Sequence, residues 1–145
     1  MRVEEFSLRQ DSGGPGRWRG GMGVVRSYRL LEDCFGALWF ERSRTPAWGI
    51  NGGKDGQGPD NDIIHPDGRV EKPLKMRARR FEKGTLFVTR TGGGGGNGNP
   101  KARPVDEVLH DVVAGAISRE AALSQYGVAI GADLTVDPAR TETRA

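Results

Sequence analysis

A run of five consecutive glycines, Gly92–Gly96, most constrains what this chain can fold into. Fixing a glycine costs roughly 0.5–1 kcal/mol more than fixing an alanine, so ordering all five costs on the order of 3–5 kcal/mol. The run is therefore either a flexible linker or a segment held by close approach of another backbone. A strand pattern enters it, a helix pattern leaves it, and it contains no serine. We expect an ordered segment, extended or polyproline-II-like, packed against a partner.

The rest of the composition offers little material for a core of side chains. Glycine accounts for 23 of 145 residues, and the hydrophobic set makes up only 35%. We therefore expect the isolated chain to be unstable or to aggregate. No apolar run approaches the roughly 20 residues of a membrane helix. Glu4 and Glu5 stand where a signal peptide would be basic and then apolar, and the single Cys34 excludes an internal disulfide framework. These features predict a cytoplasmic protein with no membrane partner.

Charge is unevenly distributed along the chain. Residues 1–103 hold 19 Lys/Arg against 12 Asp/Glu, whereas residues 104–145 hold 3 against 7. A basic region is typical of nucleic-acid binding, but also of charges paired on a surface or at a subunit interface. The basic residues alternate with acids along most of the chain, and only Met76–Arg80 forms a short basic cluster. Paired charge is the favoured interpretation, and nucleic-acid binding is kept as an alternative.

Hydrophobic periodicity predicts a mainly β fold. We expect twisted antiparallel sheets, long extended loops rich in glycine and proline, and a short C-terminal helical hairpin. The predicted strands cover residues 2–9, 24–32, 35–42, 63–65 and 85–90. The second and third of these are expected to pair through a turn at Asp33 and Cys34. Residues 69–83 have no clear periodicity.

After the glycine run the period changes from 2 to 3.6, which predicts helices. A first helix has Pro104 at its first position and ends before Gly115. A second helix, 119–126, is capped by Ser118 and closed by Gly127. The predicted apolar face of the first helix consists of Val105, Val108, Leu109, Val112 and Val113. The predicted organisation is a β-rich region over 1–91, a glycine-rich segment over 92–100, a helical hairpin with a short terminal strand over 101–130, and a polar tail over 131–145.

Two glycine motifs resemble phosphate-binding loops, and neither fits. Asp55 follows Gly52–Lys54 where a phosphate loop needs Ser or Thr, and its carboxylate would repel phosphate. Gly93, Gly95 and Gly98 match the dinucleotide fingerprint only because any glycine run does. Asn99-Pro100 delays the helix that should receive the pyrophosphate.

Histidines and the cysteine suggest no reaction. His65 could be oriented by Asp62 or Asp67, and His110 is most simply a solvated residue paired with Asp106. Cys34 has no histidine near it in sequence. We therefore predict no catalytic, cofactor-binding or metal-ligating residue in this chain.

Tryptophan in glycine-rich loops predicts an interface instead. Trp18 and Trp48 lie where an intramolecular core is hard to build, and tryptophan is enriched at the energetic centres of interfaces. The alternative is that each ring covers its own sheet. The predicted interface residues are Arg17, Trp18, Arg19, Trp48, Gly93, Gly94, Gly95 and Gly96.

Several segments together resemble one family. They are Asp11–Arg26, Pro46–Gly56, Gly92–Pro100, Asp111–Ala122 and Tyr126–Val128. Their order and spacing are similar, over roughly residues 3–130, to the C-terminal portion of hydantoinase B-type chains. That family includes hydantoinase and oxoprolinase B chains and the corresponding subunits of acetone and acetophenone carboxylases.

The resemblance implies a subunit role without independent activity. A short chain of this type is similar to the small, gamma subunit of acetophenone carboxylase, which implies an ATP-dependent ligase complex that forms benzoylacetate from acetophenone and bicarbonate. The implied partners are hydantoinase A-like subunits, which would hold ATP and a divalent metal, and a larger hydantoinase B-like chain whose fold this chain completes. A hydantoinase or oxoprolinase complex and a small basic nucleic-acid-binding protein are the alternatives.

Overall fold

The computed structural model describes residues 1–142, and it is mainly β with two short C-terminal helices, as predicted. The strands are β1 (Arg2–Arg9), β2 (Gly23–Arg29), β3 (Cys34–Trp39), β4 (Asp60–Ile64), β5 (Val70–Glu71), β6 (Lys75–Phe81) and β7 (Leu86–Arg90). The helices are α1 (Val105–Val113) and α2 (Arg119–Tyr126), preceded by a 3-10 turn at Pro100–Ala102. No helix among the described residues is long and apolar enough to cross a membrane.

Five strands form one antiparallel sheet in the order β1-β2-β7-β4-β5. Cross-strand neighbours point to the same face of a sheet, so Ile63, Phe87 and Tyr28 form one row. The opposite face carries charged side chains where β4 begins and β7 ends. There Arg90 donates to Asp60 at 2.5 Å and to Asp62 at 2.8 Å. The second layer packs on the first face, where Phe81 contacts Ile63 and Phe87.

That second layer is a two-stranded ribbon of β3 and β6, and the predicted pairing of β3 with β2 is wrong. Beyond β2 the backbone of Leu30 stays bound to residues near the start of β7. Its N–H donates to the Thr85 carbonyl oxygen and its own carbonyl accepts from Gly84, both at 2.9 Å. Since the Leu30 side chain is also buried, the chain leaves the sheet instead of turning back along it.

A small core joins the ribbon to the sheet. Phe81 of β6 packs edge-to-face on Phe87 of β7, with ring centroids 4.9 Å apart. Leu30 and Ile63 complete the buried set, with Met76 packed against it. This core lies at the β7-β4 end of the sheet, so the β1-β2 end keeps Phe6 and Leu8 exposed.

The helical hairpin has its own core and the predicted caps. The Ser118 hydroxyl accepts from the Ala121 N–H, and Gly127 ends α2 in the left-handed conformation with φ 69°. Pro104 caps α1 rather than opening it, so Val105 is the first helical residue. The buried side chains are Val108, Val112, Ile117, Ala122, Tyr126 and Val128.

Two parts of the C-terminal prediction need adjustment. On α1, Val113 is exposed and Asp111 is buried, although the period places Val113 on the apolar face. Instead of a terminal strand, a single bridge pairs Ile130 with Val136. The polar tail folds back as far as Glu142, whose N–H donates to the Gly127 carbonyl oxygen at 2.9 Å. The last three residues of the tail lie outside the described residues, and the division into regions stays a prediction.

Candidate interface on the glycine-rich loops

Three glycine-rich loops run side by side and form what we call the glycine bundle. Its segments are residues 12–21, 47–57 and 92–99. Each segment is hydrogen-bonded to the other two. The glycine run is therefore ordered, as predicted, but the backbones that approach it belong to the same chain rather than to a partner.

Backbone hydrogen bonds hold the third segment, residues 92–99, against the other two. The Gly94 N–H donates to the Gly21 carbonyl oxygen at 2.9 Å, and the Gly94 carbonyl accepts from Gly14 at 2.8 Å. Two residues later, the Gly96 N–H turns to the other side and donates to the Lys54 carbonyl oxygen at 2.9 Å. Successive peptide groups thus bind alternate neighbours, which satisfies groups that would otherwise be costly to bury.

The loops approach so closely that side chains have no room. A methyl group on Gly95 would overlap the backbone carbonyl of Trp48, and one on Gly93 would overlap that of Ser12. Neither obstacle is a side chain that could move aside. This is the same physical constraint that admits only glycine at the crowded axis of a collagen triple helix. The bundle explains the glycine content that the sequence left unassigned.

The bundle also accounts for both glycine motifs that resemble phosphate loops. The N–H groups of Gly53 and Lys54 donate to the carbonyls of Ile50 and Pro15, at 2.9 and 2.7 Å. These amides are therefore not free to bind phosphate. No group of three or more His, Cys, Asp or Glu that could hold a metal occurs in residues 1–142. The described residues do not fit an ATP or metal site.

One face of the bundle presents an apolar row. Trp18 and Ile50 form bridges to Asn97 from opposite sides, one antiparallel and one parallel. Directly bridged residues point the same way, and adjacent strands lie about 4.8 Å apart, so the two side chains flank Asn97 on one surface. Trp18 is 59% exposed and Ile50 51%. Ile50 was missed from sequence, although it lies two residues after Trp48.

Arginine side chains cover the two loop tryptophans. The Arg17 guanidinium lies 5.7 Å from the Trp18 ring centroid, and that of Arg42 lies 5.2 Å from the Trp48 ring. Trp48 is nevertheless 64% exposed, so neither tryptophan covers its own sheet. Large, partly solvent-exposed aromatic rings beside cations are typical anchors of protein interfaces. The predicted interface role of both rings stays a prediction.

Arg19 pairs with a buried carboxylate inside the molecule and does not reach the proposed contact surface as a free charge. Its Nε lies 3.1 Å from the Oδ2 of Asp111, which is only 4% exposed on α1. Arg103 binds the same carboxylate at 3.0 Å and donates to the Arg17 carbonyl oxygen at 2.9 Å. This network ties the glycine bundle to the helical hairpin, and it explains why α1 buries an aspartate.

The structure places His65 beside a carboxylate and Cys34 on the surface. His65 Nε2 lies 2.6 Å from Glu71 Oε1, not from either aspartate suggested by the sequence. Arg79 first, and then His65 and Arg69, stabilise the charged carboxylate and lower the pKa of Glu71 to about 2. Cys34 is exposed at the start of β3.

Comparisons with known proteins agree on one family. The sequence profile of hydantoinase B/oxoprolinase matches residues 1–100. The B-type component of a candidate D-/L-hydantoinase from Pseudomonas sp. (strain NS671) is 32% identical, over 97% of this chain and 24% of that protein. The crystal structure of the ATP-dependent caprolactamase from Pseudomonas jessenii has a TM-score of 0.81 and 30% identity, over 96% of this chain and 25% of that one.

A nucleotide-free acetone carboxylase structure has a TM-score of 0.80 at 21% identity, over 96% of this chain and 23% of that one. At that identity the likeness concerns the fold alone. The chain thus spans about a quarter of the length of the relatives it matches.

Proposed function

The chain belongs to the hydantoinase B/oxoprolinase family, and from that membership we propose that it completes the fold of a larger hydantoinase B-like chain in an ATP-dependent enzyme complex. The observation that supports this most is the match of nearly the whole chain to only a quarter of each relative. The glycine bundle would be a rigid platform, and the row of Trp18 and Ile50 would be its contact surface.

The finer proposal is a ketone carboxylase. The complex would join acetophenone and bicarbonate into benzoylacetate, with ATP and a divalent metal held by hydantoinase A-like subunits. Likeness to the acetone carboxylase fold is compatible with this assignment. The chain itself would act indirectly, by holding partner backbone in position, where an error of about 1 Å can cost on the order of a hundredfold in rate.

A second candidate function is the ATP-dependent opening of a cyclic amide. The similarities of 30–32% identity are to a caprolactamase and to a candidate hydantoinase component, whereas the acetone carboxylase is 21% identical. This difference favours an amide substrate. The two candidates share the scaffold role and differ only in what the partner subunits transform.

Reconstitution tests the proposal. The chain is co-expressed with the hydantoinase A-like and larger B-like subunits of the same genome, and the complex is prepared with and without it. Ketone-dependent ATP hydrolysis, carboxylated product and ring-opened product from hydantoin, 5-oxoproline or caprolactam are then measured separately. We expect product only when the chain is present. Full product formation without it, or turnover by the chain alone, contradicts the scaffold role.

The contact surface has its own test. Trp18→Ala should weaken assembly more than it lowers the stability of the free chain, because the ring is half exposed and makes few internal contacts. Val113→Ala is the matched control, an exposed apolar residue on α1 away from the bundle surface. Equal complex yields from Trp18→Ala and the parent chain at limiting concentration contradict the assignment.

A further inference from the structure

The ribbon of β3 and β6 is only half covered. It is hydrogen-bonded to no other strand among the described residues, and its inner face packs on the sheet through Phe81. On β6, Arg77 and Ala78 together oppose Ala37, because the register shifts between Gly36 and Leu38. Such a bulge blunts a strand edge. The edge of β3 has no bulge and stays open, and an isolated two-stranded ribbon is only marginally stable in water.

The outer face of the ribbon is apolar and faces solvent. Phe35 and Trp39 alternate along β3, and they are 76% and 74% exposed, more than either loop tryptophan. Beside Trp39, Ala37 and Ala78 leave a shallow hollow of about 410 Å³. Aromatic rings beside a hollow of small side chains can receive apolar side chains of a partner.

Three cationic side chains lie in or near the hollow, and they differ in whether an acidic side chain pairs with them. The Arg77 side chain lines it and makes no ion pair or hydrogen bond within the part of the chain that the structure describes. Lys75 lies over the Trp39 ring at 4.4 Å and also faces Glu41 at 3.7 Å. Arg80 is paired with Asp33 at 2.6 Å. The hollow is therefore lined by one cation without a counter-charge, Arg77, which lies in β6 between the paired cations Lys75 and Arg80.

We propose that this face and the free edge of β3 bind an extended segment of the larger hydantoinase B-like chain. The segment adds to β3 as a further strand, is mainly apolar, and places one carboxylate opposite Arg77. The inference rests on the proposed function, and it adds a second contact surface to the row of Trp18 and Ile50. Three-quarters of each relative lies outside this chain, so the family supplies a polypeptide long enough to cover it.

The charges favour a protein strand over nucleic acid. Asp33 and Glu41 lie just beyond the two ends of β3 and neutralise Arg80 and Lys75, so that these two cations are not available to a phosphate backbone. The Lys75 ammonium already occupies one face of the Trp39 ring, which blocks base stacking there. An apolar strand with a single acid meets neither obstacle.

Hydrogen exchange in the complex of this chain with the larger B-like subunit is the first test. We expect the amides of β3 to become protected on binding. A complex that forms without protection of β3 overturns this inference and leaves the proposed function intact. Failure to form any complex, with this chain well folded, contradicts the proposed function itself.

Charge reversal and truncation sharpen the test. Arg77→Glu should weaken binding to the B-like subunit at least about tenfold, and Trp39→Ser at least about 30-fold, the factor typical of an interface hot spot. Arg140→Glu and Val113→Ser, both on the C-terminal part, are the controls and should have no effect. Unchanged affinity in Trp39→Ser overturns the proposal.

Two other occupants have distinct signatures. If the ribbon instead pairs with a second copy, the chain alone dimerises in sedimentation experiments and Trp39→Ser makes it monomeric. If it binds nucleic acid, single-stranded RNA shifts in a gel, and the shift is lost in Trp39→Ser and at high salt. Either result overturns the proposed strand addition.

Discussion

The glycine bundle and the helical hairpin fill the interior of the molecule in opposite ways. In the hairpin, Val108, Val112 and Tyr126 interlock as side chains from two helices. In the bundle, peptide groups contact peptide groups, and the place of a side chain is taken by a neighbouring carbonyl. A chain with only 35% hydrophobic residues can therefore be ordered, because backbone packing replaces part of the apolar core.

The difference predicts opposite responses to a methyl group. The hairpin should lose stability when methyl groups are removed from its core, because a cavity remains. The bundle should lose stability when a methyl group is added, because the atoms in its way belong to the backbone and cannot move aside.

The largest effect is expected from Gly95→Ala. Its methyl group would overlap the Trp48 carbonyl, so the bundle must open, at a cost of more than about 3 kcal/mol of unfolding free energy. Gly21→Ala is the matched control, since nothing lies within 4 Å of its Cβ position. Urea unfolding followed by tryptophan fluorescence measures both. Similar midpoints for the two variants would show that the bundle is looser than the structure indicates.

Asp111→Ala should separate the two regions. Removing the carboxylate leaves Arg19 and Arg103 without their buried counter-ion, and breaking such a network costs about 3 kcal/mol. Glu107→Ala removes a more exposed partner of Arg103 and should cost less than about 1 kcal/mol. The same urea experiment compares them, and equal losses would argue against a structural role for the buried carboxylate.

Val108→Ala tests the hairpin. Val108 is fully buried, and two lost methyl groups plus the resulting cavity should cost about 2 kcal/mol. On the same helix, Val113→Ala should change stability by less than about 0.5 kcal/mol because Val113 is exposed. If Val108→Ala is as mild as this control, the hairpin core is not packed as described.

Acid should give the smallest effect and should spare the bundle. Arg79 lowers the pKa of Glu71 from 4.5 to about 2 in the folded state, so this stabilisation is present above pH 4.5 and is lost as the pH falls towards 2. Glu71 joins β5 to β6, whereas the bundle is held mainly by peptide groups, which do not titrate. The effect is modest because the carboxylate is partly exposed and screened by salt.

Amide exchange at pH 6 and pH 3 measures this difference. Acid should raise the exchange of β6 amides relative to Gly94 and Gly96, after correction for intrinsic rates. Glu71→Gln should remove most of the pH dependence in β6. Equal acid sensitivity of β6 and the bundle would contradict the assignment.

How far the sequence predicts this molecule differs by region. The approximate positions of β1, β2, β3, β4 and β7 follow from local periodicity, and the caps of α2 follow from Ser118 and Gly127, and these predictions are confirmed. Strands β5 and β6 lie in residues 69–83, which have no clear periodicity. β3 pairs with β6 because Leu30 and Phe81 are buried together in one core. This contact joins residues that are far apart in sequence, so no local pattern predicts it. The prediction places β3 beside β2 in space because the two are adjacent in sequence, and at this point it is wrong.

For the candidate interface, sequence indicated the exposed tryptophans but not their neighbours. Ile50 and Asn97 meet Trp18 only because three loops align, and that alignment is invisible one segment at a time. The available signal was the recurrence of glycine in all three loops. The destination of Arg19 depends on a buried aspartate 92 residues away.

The glycine bundle also has a calorimetric consequence. Exposing apolar surface raises the heat capacity of unfolding, whereas exposing polar surface lowers it. Opening the bundle exposes mainly peptide groups, so its heat-capacity increment per residue should fall below the usual value of about 12–15 cal/mol/K. A smaller increment flattens the curve of stability against temperature. The same backbone contacts that leave no room for a methyl group should therefore make the chain less sensitive to cooling than its size suggests.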